Sequence, residues 1–203
     1  MRGIEVRNLV RALVLSAACL ACGGGQGNGT VVQTNKVVGT IGSRSFTAED
    51  ATSTAGSWKG FDFVGPSLAV QISDYAALCT YSANLQEPPN TQNLVLMLAR
   101  VDASGSSSPP VTNGEFPLLT SAAAGLWSQA WYEYGGSGVS GSYDCFRAYS
   151  RSASSGKVVV TSISDDAVTG TFDLVFEPAD HVTGSFYAPT CAGADLNRSP
   201  TCP

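Results

Sequence analysis

The last third of the chain constrains the fold most. Three segments there alternate apolar and polar residues: Lys157 to Ile163 (KVVVTSI), Ala167 to Glu177 (AVTGTFDLVFE) and His181 to Ala188 (HVTGSFYA). A period of two puts every second side chain on one face, as in a half-buried antiparallel strand and not a helix. In the middle segment Val168, Gly170, Phe172, Leu174 and Phe176 share one face, and Thr169, Thr171, Asp173, Val175 and Glu177 share the other. The connections Ser164-Asp165-Asp166 and Pro178-Ala179-Asp180 carry turn chemistry, since Asp bonds local amides and proline presets φ. A short motif recurs: Val168-Thr169-Gly170-Thr171-Phe172 returns 14 residues later as Val182-Thr183-Gly184-Ser185-Phe186. That offset suits the matched edges of one meander and lies far below solenoid periods.

The same pattern extends toward the front. Lys36 to Ile41 and Ser45 to Thr47 read as short strands around Gly42-Ser43-Arg44. Leu68 to Ile72 is another, and Asn93 to Val101 (NLVLMLARV) is apolar enough for a central strand. In Gly114 to Leu119, Pro117 points to an edge or a bulge. Leu126 to Tyr134 (LWSQAWYEY) is aromatic-rich, and Tyr143 to Tyr149 follows across a Gly/Ser loop. Ser73 is placed to cap one helix over Asp74 to about Asn84, with Pro88-Pro89 stopping it. Only 13% of residues are charged and 22 are glycine, which suits strands and turns better than long wet-faced helices. The expected fold is all-β: an antiparallel β-sandwich or partly open barrel of about eight to ten strands with one short helix near 74–84.

The front end reads as processing signal. Arg2, Arg7 and Arg11 form a positive stretch, followed by the short apolar run Ala12 to Leu20. That run falls short of the ~20 residues of a membrane helix. Small residues lead to cysteine twice, at Ala17-Ala18-Cys19 and Leu20-Ala21-Cys22. This stretch resembles the lipobox of bacterial lipoproteins, in which a small residue precedes the cysteine that is lipidated. Cys22 is the favoured anchor and Cys19 the alternative, because Cys22 leaves a longer apolar run and is followed directly by the Gly-rich tether Gly23 to Gly29. The lipobox usually carries Leu three residues before its cysteine, where Cys22 has Cys19. The domain order expected is a signal at 1–21, a tether at 22–35 and one β domain at 36–203. The C-terminal VTGTF/VTGSF meander ending at Cys191 is similar to that of uncharacterised lipoproteins of Gram-negative soil bacteria. The resemblance implies a lipid-anchored envelope protein, at the outer membrane by the Gly after Cys22, with the membrane as its first partner. It implies no activity.

The net charge is −5, and the residues before Cys22 contribute +2, which leaves −7 on the remainder. The basic residues there are scattered from Lys36 to Arg198, which argues against nucleic acid. Four cysteines remain beyond the signal: Cys79, Cys145, Cys191 and Cys202. Outside the cytoplasm an even set reads as two disulfides. Three pairings are open. The preferred one joins Cys79 to Cys145 and Cys191 to Cys202, the latter clipping a tail without strand pattern.

Candidate chemistry is thin. His181, the one histidine, sits beside Asp180 at a hairpin, where a solvated turn residue is the ordinary explanation, and no Gly-x-Ser-x-Gly elbow occurs. Ser154-Ser155-Gly156-Lys157 satisfies Ser-x-x-Lys but enters a strand, not a helix. Asp173 and Glu177 share a strand face ~13 Å apart, wide even for an inverting glycosidase. No metal-ligand spacing is present, and no cofactor is expected. Trp127 and Trp131 share one strand face and Tyr132 and Tyr134 the other. The bland account is a core Trp pair with tyrosines at the rim. The sharper one is an aromatic platform for a glycan or protein partner in the envelope. The functional expectation is a non-enzymatic binding or structural module. The alternative is a carbohydrate-binding module or carbohydrate-active hydrolase using the Trp127/Trp131 strand.

Overall fold

The computed structural model describes residues 34–60, 63–84, 88–103, 108–119, 124–135, 147–177 and 180–197. The chain divides into a unit Met1–Val32, which lies outside the described residues, and a unit Gln33–Pro203, to which everything below belongs. Among the described residues there are ten strands and one helix: β1 (Lys36–Ile41), β2 (Arg44–Ser45), β3 (Asp50–Gly60), β4 (Phe63–Ser73), α1 (Leu78–Asn84), β5 (Gln92–Val101), β6 (Gly114–Pro117), β7 (Gly125–Gly135), β8 (Arg147–Ile163), β9 (Ala167–Phe176) and β10 (Asp180–Pro189). They form one antiparallel sheet in the order β2-β1-β10-β9-β8-β7-β5-β4-β3, with β6 beside β8. The expected all-β fold with one short helix is therefore what forms, and its shape is a half-barrel.

The far edges of the sheet curl toward each other. Ser53 of β3 bridges Thr190 just past β10. The Cys191 amide donates to the Ser53 carbonyl at 2.8 Å, and the Ser53 hydroxyl donates to the Ala188 carbonyl at 2.9 Å. The outer edge of β10 is thus shared: β1 takes Val182 to Ser185, and β3 takes its end. The concave interior holds the larger apolar cluster, including Leu94, Leu96 and Leu98 of β5, Leu68, Val70 and Ile72 of β4, and Phe172, Leu174 and Phe176 of β9. The alternation read from the sequence is the face that fills it. β5 lies between β4 and β7, central as its apolar run predicts.

The repeated motif has a geometric basis. In the β9–β10 register Phe186 faces Gly170 and Phe172 faces Gly184. A methyl group on Gly170 would come within 2.6 Å of the Phe186 ring, and one on Gly184 within 2.4 Å of the Phe172 ring. Each copy of the motif supplies the ring that lies over the other's glycine.

Three features depart from the sequence reading. Of the segments Tyr143 to Tyr149 and Lys157 to Ile163, expected as separate strands, Arg147 to Tyr149 and Lys157 to Ile163 belong to one 17-residue strand, β8, and 143–146 lie outside the described residues. Ser154-Ser155-Gly156, expected to enter a strand at Lys157, instead lies inside β8 where the strand bends: the register shifts between Ala153 and Ser155, and Gly156 takes φ 130°. A side chain on Gly156 would meet the Asp173 carbonyl at 2.1 Å, so the bend requires glycine. β3 has no apolar alternation to announce it; it pairs along its full length with β4 and buries small and polar residues such as Ala51, Thr52 and Ser53. The helix begins at Leu78, four residues later than expected. Ser73 belongs to β4 and bonds the Tyr75 carbonyl, while Ala77 takes φ 61°. The cap comes from another strand, as Asp50 Oδ2 of β3 accepts from the Leu78 amide at 2.9 Å.

Candidate functional site

The convex face of β4, β5 and β7 is also covered. Its residues are those of opposite parity to the interior set. Trp127 of β7 is fully buried there, with its ring 5.3 Å from Phe63 and 6.3 Å from Trp58 between centroids, and Met97 and Ala99 of β5 complete the cluster. Beside it lies a polar band in which Asn93 and Glu133 are almost wholly buried. The Asn93 amide donates to the Tyr75 hydroxyl, and the Trp131 indole N–H donates to Glu133 Oε1 at 2.5 Å.

Two pieces of chain cover this face. The first is α1, whose Ser82 hydroxyl donates to Gln71 Oε1 and whose Tyr81 ring meets Tyr75 edge-on. The second is the segment after β10, where Leu196 packs on the Trp cluster. Asn197 there accepts from the Lys59 amide at 2.9 Å and donates to the Ser57 carbonyl. A disulfide between Cys79 of α1 and Cys191 joins the two pieces, with Cα atoms 5.4 Å apart. This corrects the preferred pairing of Cys79 with Cys145 and Cys191 with Cys202. The bridge to Ser53 carries Cys191 across to β3, where Asp50 also holds the start of α1, so the two sulfurs meet. The tail expected to need a clip is instead held along β3. Cys145 and Cys202 lie outside the described residues, as do Cys19 and Cys22.

The bend in β8 opens a gap in the sheet. β8 pairs with β7 only as far as Trp131–Ser152, and from Ala153 it turns onto β9. Leu118 and Leu119 of the chain after β6 pass close by, Leu118 bridging Ser128 and the Leu119 amide donating to the Ser128 carbonyl. The result is a cavity of about 160 Å³ lined by Leu118, Leu119, Gln129, Trp131, Ser152 and Ala153. Gln129 is only 7% exposed, and its Oε1 is buried without a hydrogen-bond partner. Of the aromatics singled out by sequence, Trp131 is the one at this cavity. Trp127 lies sealed in the convex cluster, Tyr132 is buried in the half-barrel, and Tyr134 is half-buried on the same concave side as Tyr132. Gln129 escaped the sequence reading, although a signal existed: it is the polar residue between Trp127 and Trp131 on their own strand face.

The interior near the β2 end is a polar and aromatic network. Tyr132 donates to Gln92 Oε1 at 2.7 Å, and Gln92 Nε2 donates in turn to Asp74 and to the Ser45 carbonyl. Burial pushes the Tyr132 phenol up to about 12, against a smaller opposing effect of Arg44. Arg44 lies over the Tyr134 ring at 3.8 Å, and Arg151 pairs with Asp180 at 3.0 Å. A second cavity, about 430 Å³ and largely apolar, lies between Ala55, Leu68, Val111 and Ile163.

The other candidate groups lie on an exposed strand surface, where Lys157 of β8 stands opposite Asp173 of β9. His181 Nε2 meets Asp173 Oδ1 at 2.6 Å on the open surface, both side chains more than half exposed. His181 is the second residue of β10 and not part of a turn. Lys157 bonds Glu115, which raises its pKa. Among the described residues no group of three His, Cys, Asp or Glu side chains gathers as a ligand set, and no helix is long and apolar enough to cross a membrane.

The fold and the covalent bridge among the described residues define a class: an antiparallel half-barrel with a disulfide-clipped helix on its convex face. No family model, curated protein or solved structure matches the chain.

Proposed function

We propose that this protein is an exported, lipid-anchored envelope protein, held at the membrane through Cys22, whose half-barrel is a non-enzymatic binding module. The observation that carries the reading is the disulfide between Cys79 and Cys191. Disulfides persist where the surroundings are oxidising and are rare in cytosol. The positive, apolar and small-residue succession before Cys22 supports the same address. Lipid chains contribute roughly 0.8 kcal/mol per buried methylene, so an acylated cysteine anchors a domain without a protein span. The binding role is supported by the cavity at Trp131 and Gln129, and a non-enzymatic one by the solvent exposure of the neighbouring His181, Asp173 and Lys157 on an open strand surface.

The test is metabolic labelling with palmitate and intact mass of the membrane fraction, for the native chain and for Cys22→Ala and Cys19→Ala. Label lost in Cys22→Ala and kept in Cys19→Ala is the expected result. An unlabelled native product that retains Met1 and stays in the soluble fraction would overturn the reading.

A further inference from the structure

We infer that the cavity where β8 leaves β7 is a binding site for a single neutral pyranose residue, seated against Trp131 and hydrogen-bonded by the Gln129 carboxamide. The inference rests on the proposed binding role and names its ligand class. Three properties of the cavity select that class.

The first is size. At about 160 Å³ the space is well below that of a drug-sized pocket and holds on the order of five waters, or one substituted six-membered ring. The second is charge. The lining contains no Lys, Arg, Asp or Glu, so it offers no counter-ion to a phosphate, a carboxylate or an amine. The third is the distribution of polarity. Leu118 and Leu119 give apolar walls and Trp131 a half-buried indole, whose N–H is already committed to Glu133 Oε1. That bond fixes the ring while leaving it no free donor. Against these surfaces stands the Gln129 carboxamide, whose Oε1 is buried without a partner, with the exposed Ser152 at the rim.

A buried amide oxygen without a hydrogen-bond partner is an exception among native structures and needs a reason. A half-turn of the carboxamide exchanges oxygen for nitrogen at nearly the same shape, so Gln129 can present an acceptor or a donor to the cavity. A pyranose matches this arrangement: its C–H face lies on an aromatic surface, and its rim hydroxyls both donate and accept. A purely apolar ligand would leave Gln129 as it is, and a charged one would lose its hydration without compensation.

The experiment uses the full-length chain in a detergent without sugar headgroups. Glucose, galactose, mannose and N-acetylglucosamine are titrated singly while tryptophan fluorescence is followed. Saturable quenching by at least one of them is expected, with a Kd on the order of 1 mM. Trp131→Ala and Gln129→Leu should each weaken that binding roughly tenfold or more, while the far-ultraviolet spectrum and the unfolding midpoint of Gln129→Leu stay at or above the native values. The leucine variant separates the roles, since a merely structural Gln129 would leave sugar affinity unchanged. Absence of any saturable response up to about 50 mM, or binding that survives both substitutions, would overturn the inference. Palmitate carried on Cys22 together with silence toward every sugar would strike out this ligand and leave the anchored protein standing.

Discussion

Gly170 and Gly184 show how much of this fold is decided by single atoms. Each lies beneath a phenylalanine from the neighbouring strand, and each also faces a carbonyl, that of Val159 for Gly170 and that of Lys36 for Gly184, at 2.2–2.3 Å from where a methyl would sit. The ring has some freedom to move, but the backbone has little, so the strand must shift. Gly170→Ala and Gly184→Ala are each expected to destabilise the protein by about 1–3 kcal/mol, the range for overpacking a close-packed site. The fall in urea midpoint at unchanged slope checks it. A conservative Phe172→Leu change should act through the same contact by uncovering Gly184. Tyr132 supplies a residue-scale prediction in pH. Its folded pKa, about 12, exceeds the ordinary 10.0, so the folded chain holds the phenolic proton more tightly than the unfolded chain. The associated stability is fully present below pH 10 and is lost as pH climbs toward 12. Tyr132→Phe, which also gives up the bond to Gln92, should be less stable by about 1 kcal/mol at neutral pH and should lose less on going from pH 10 to pH 12. Paired denaturation curves at the two pH values, native against variant, would reveal a slope difference of that sign or its absence.

Among the elements, what could be read from sequence follows what drives each one. β9 and β10 are written in their own alternation, because their side chains divide between a packed core and a less buried face, and β5 in an unbroken apolar run, because both of its faces are buried. β3 is formed by pairing with β4, not by its own side chains, so a stretch of Thr, Ser, Ala and Gly carries no periodic signal. The middle of β8 hides for a similar reason, since the bulge and Gly156 that bend it look like loop composition. This bend makes the Trp131 cavity, so the candidate site was legible as an aromatic strand but not as an opening beside it. The helix start was misread because its cap is tertiary. Ser73 is the local candidate, but Asp50, 28 positions earlier, bonds the Leu78 amide. A seven-residue helix has little stability of its own and depends on such contacts. Asp50→Ala should therefore cost about 1 kcal/mol and speed amide exchange in α1 above that in β5, whereas Asp50→Asn should recover most of the loss. Equal exchange in both elements would mean that Asp50 does not hold the helix.

For the molecule as a whole, the two faces of the sheet are secured by different means. The concave core is enclosed by the sheet itself, with the contact of β3 on the end of β10 drawing its edges together through backbone bonds that reduction does not touch. The convex face is covered by a short helix at Gln71 and by a tail whose Leu196 packs on the Trp127 cluster, and the bond between Cys79 and Cys191 is the covalent link between those covers. The two cysteines are 112 residues apart, so cutting the bond frees a long loop in the unfolded chain, an effect of about 4–5 kcal/mol by chain entropy and typically about 2–4 kcal/mol when measured. The loss should not be uniform. With the bond reduced, or in the double variant Cys79→Ala and Cys191→Ala, α1 and the tail are expected to detach at lower denaturant than the sheet melts. Trp127 and Trp58 then become wet before the strands part. Tryptophan emission should shift to the red at a lower urea concentration than that at which the far-ultraviolet β signal disappears, while the oxidised native chain shows both changes together. Coincident transitions in the reduced protein would show that the outer layer and the half-barrel are one cooperative unit, and that the covalent clip adds stability without defining a separate layer.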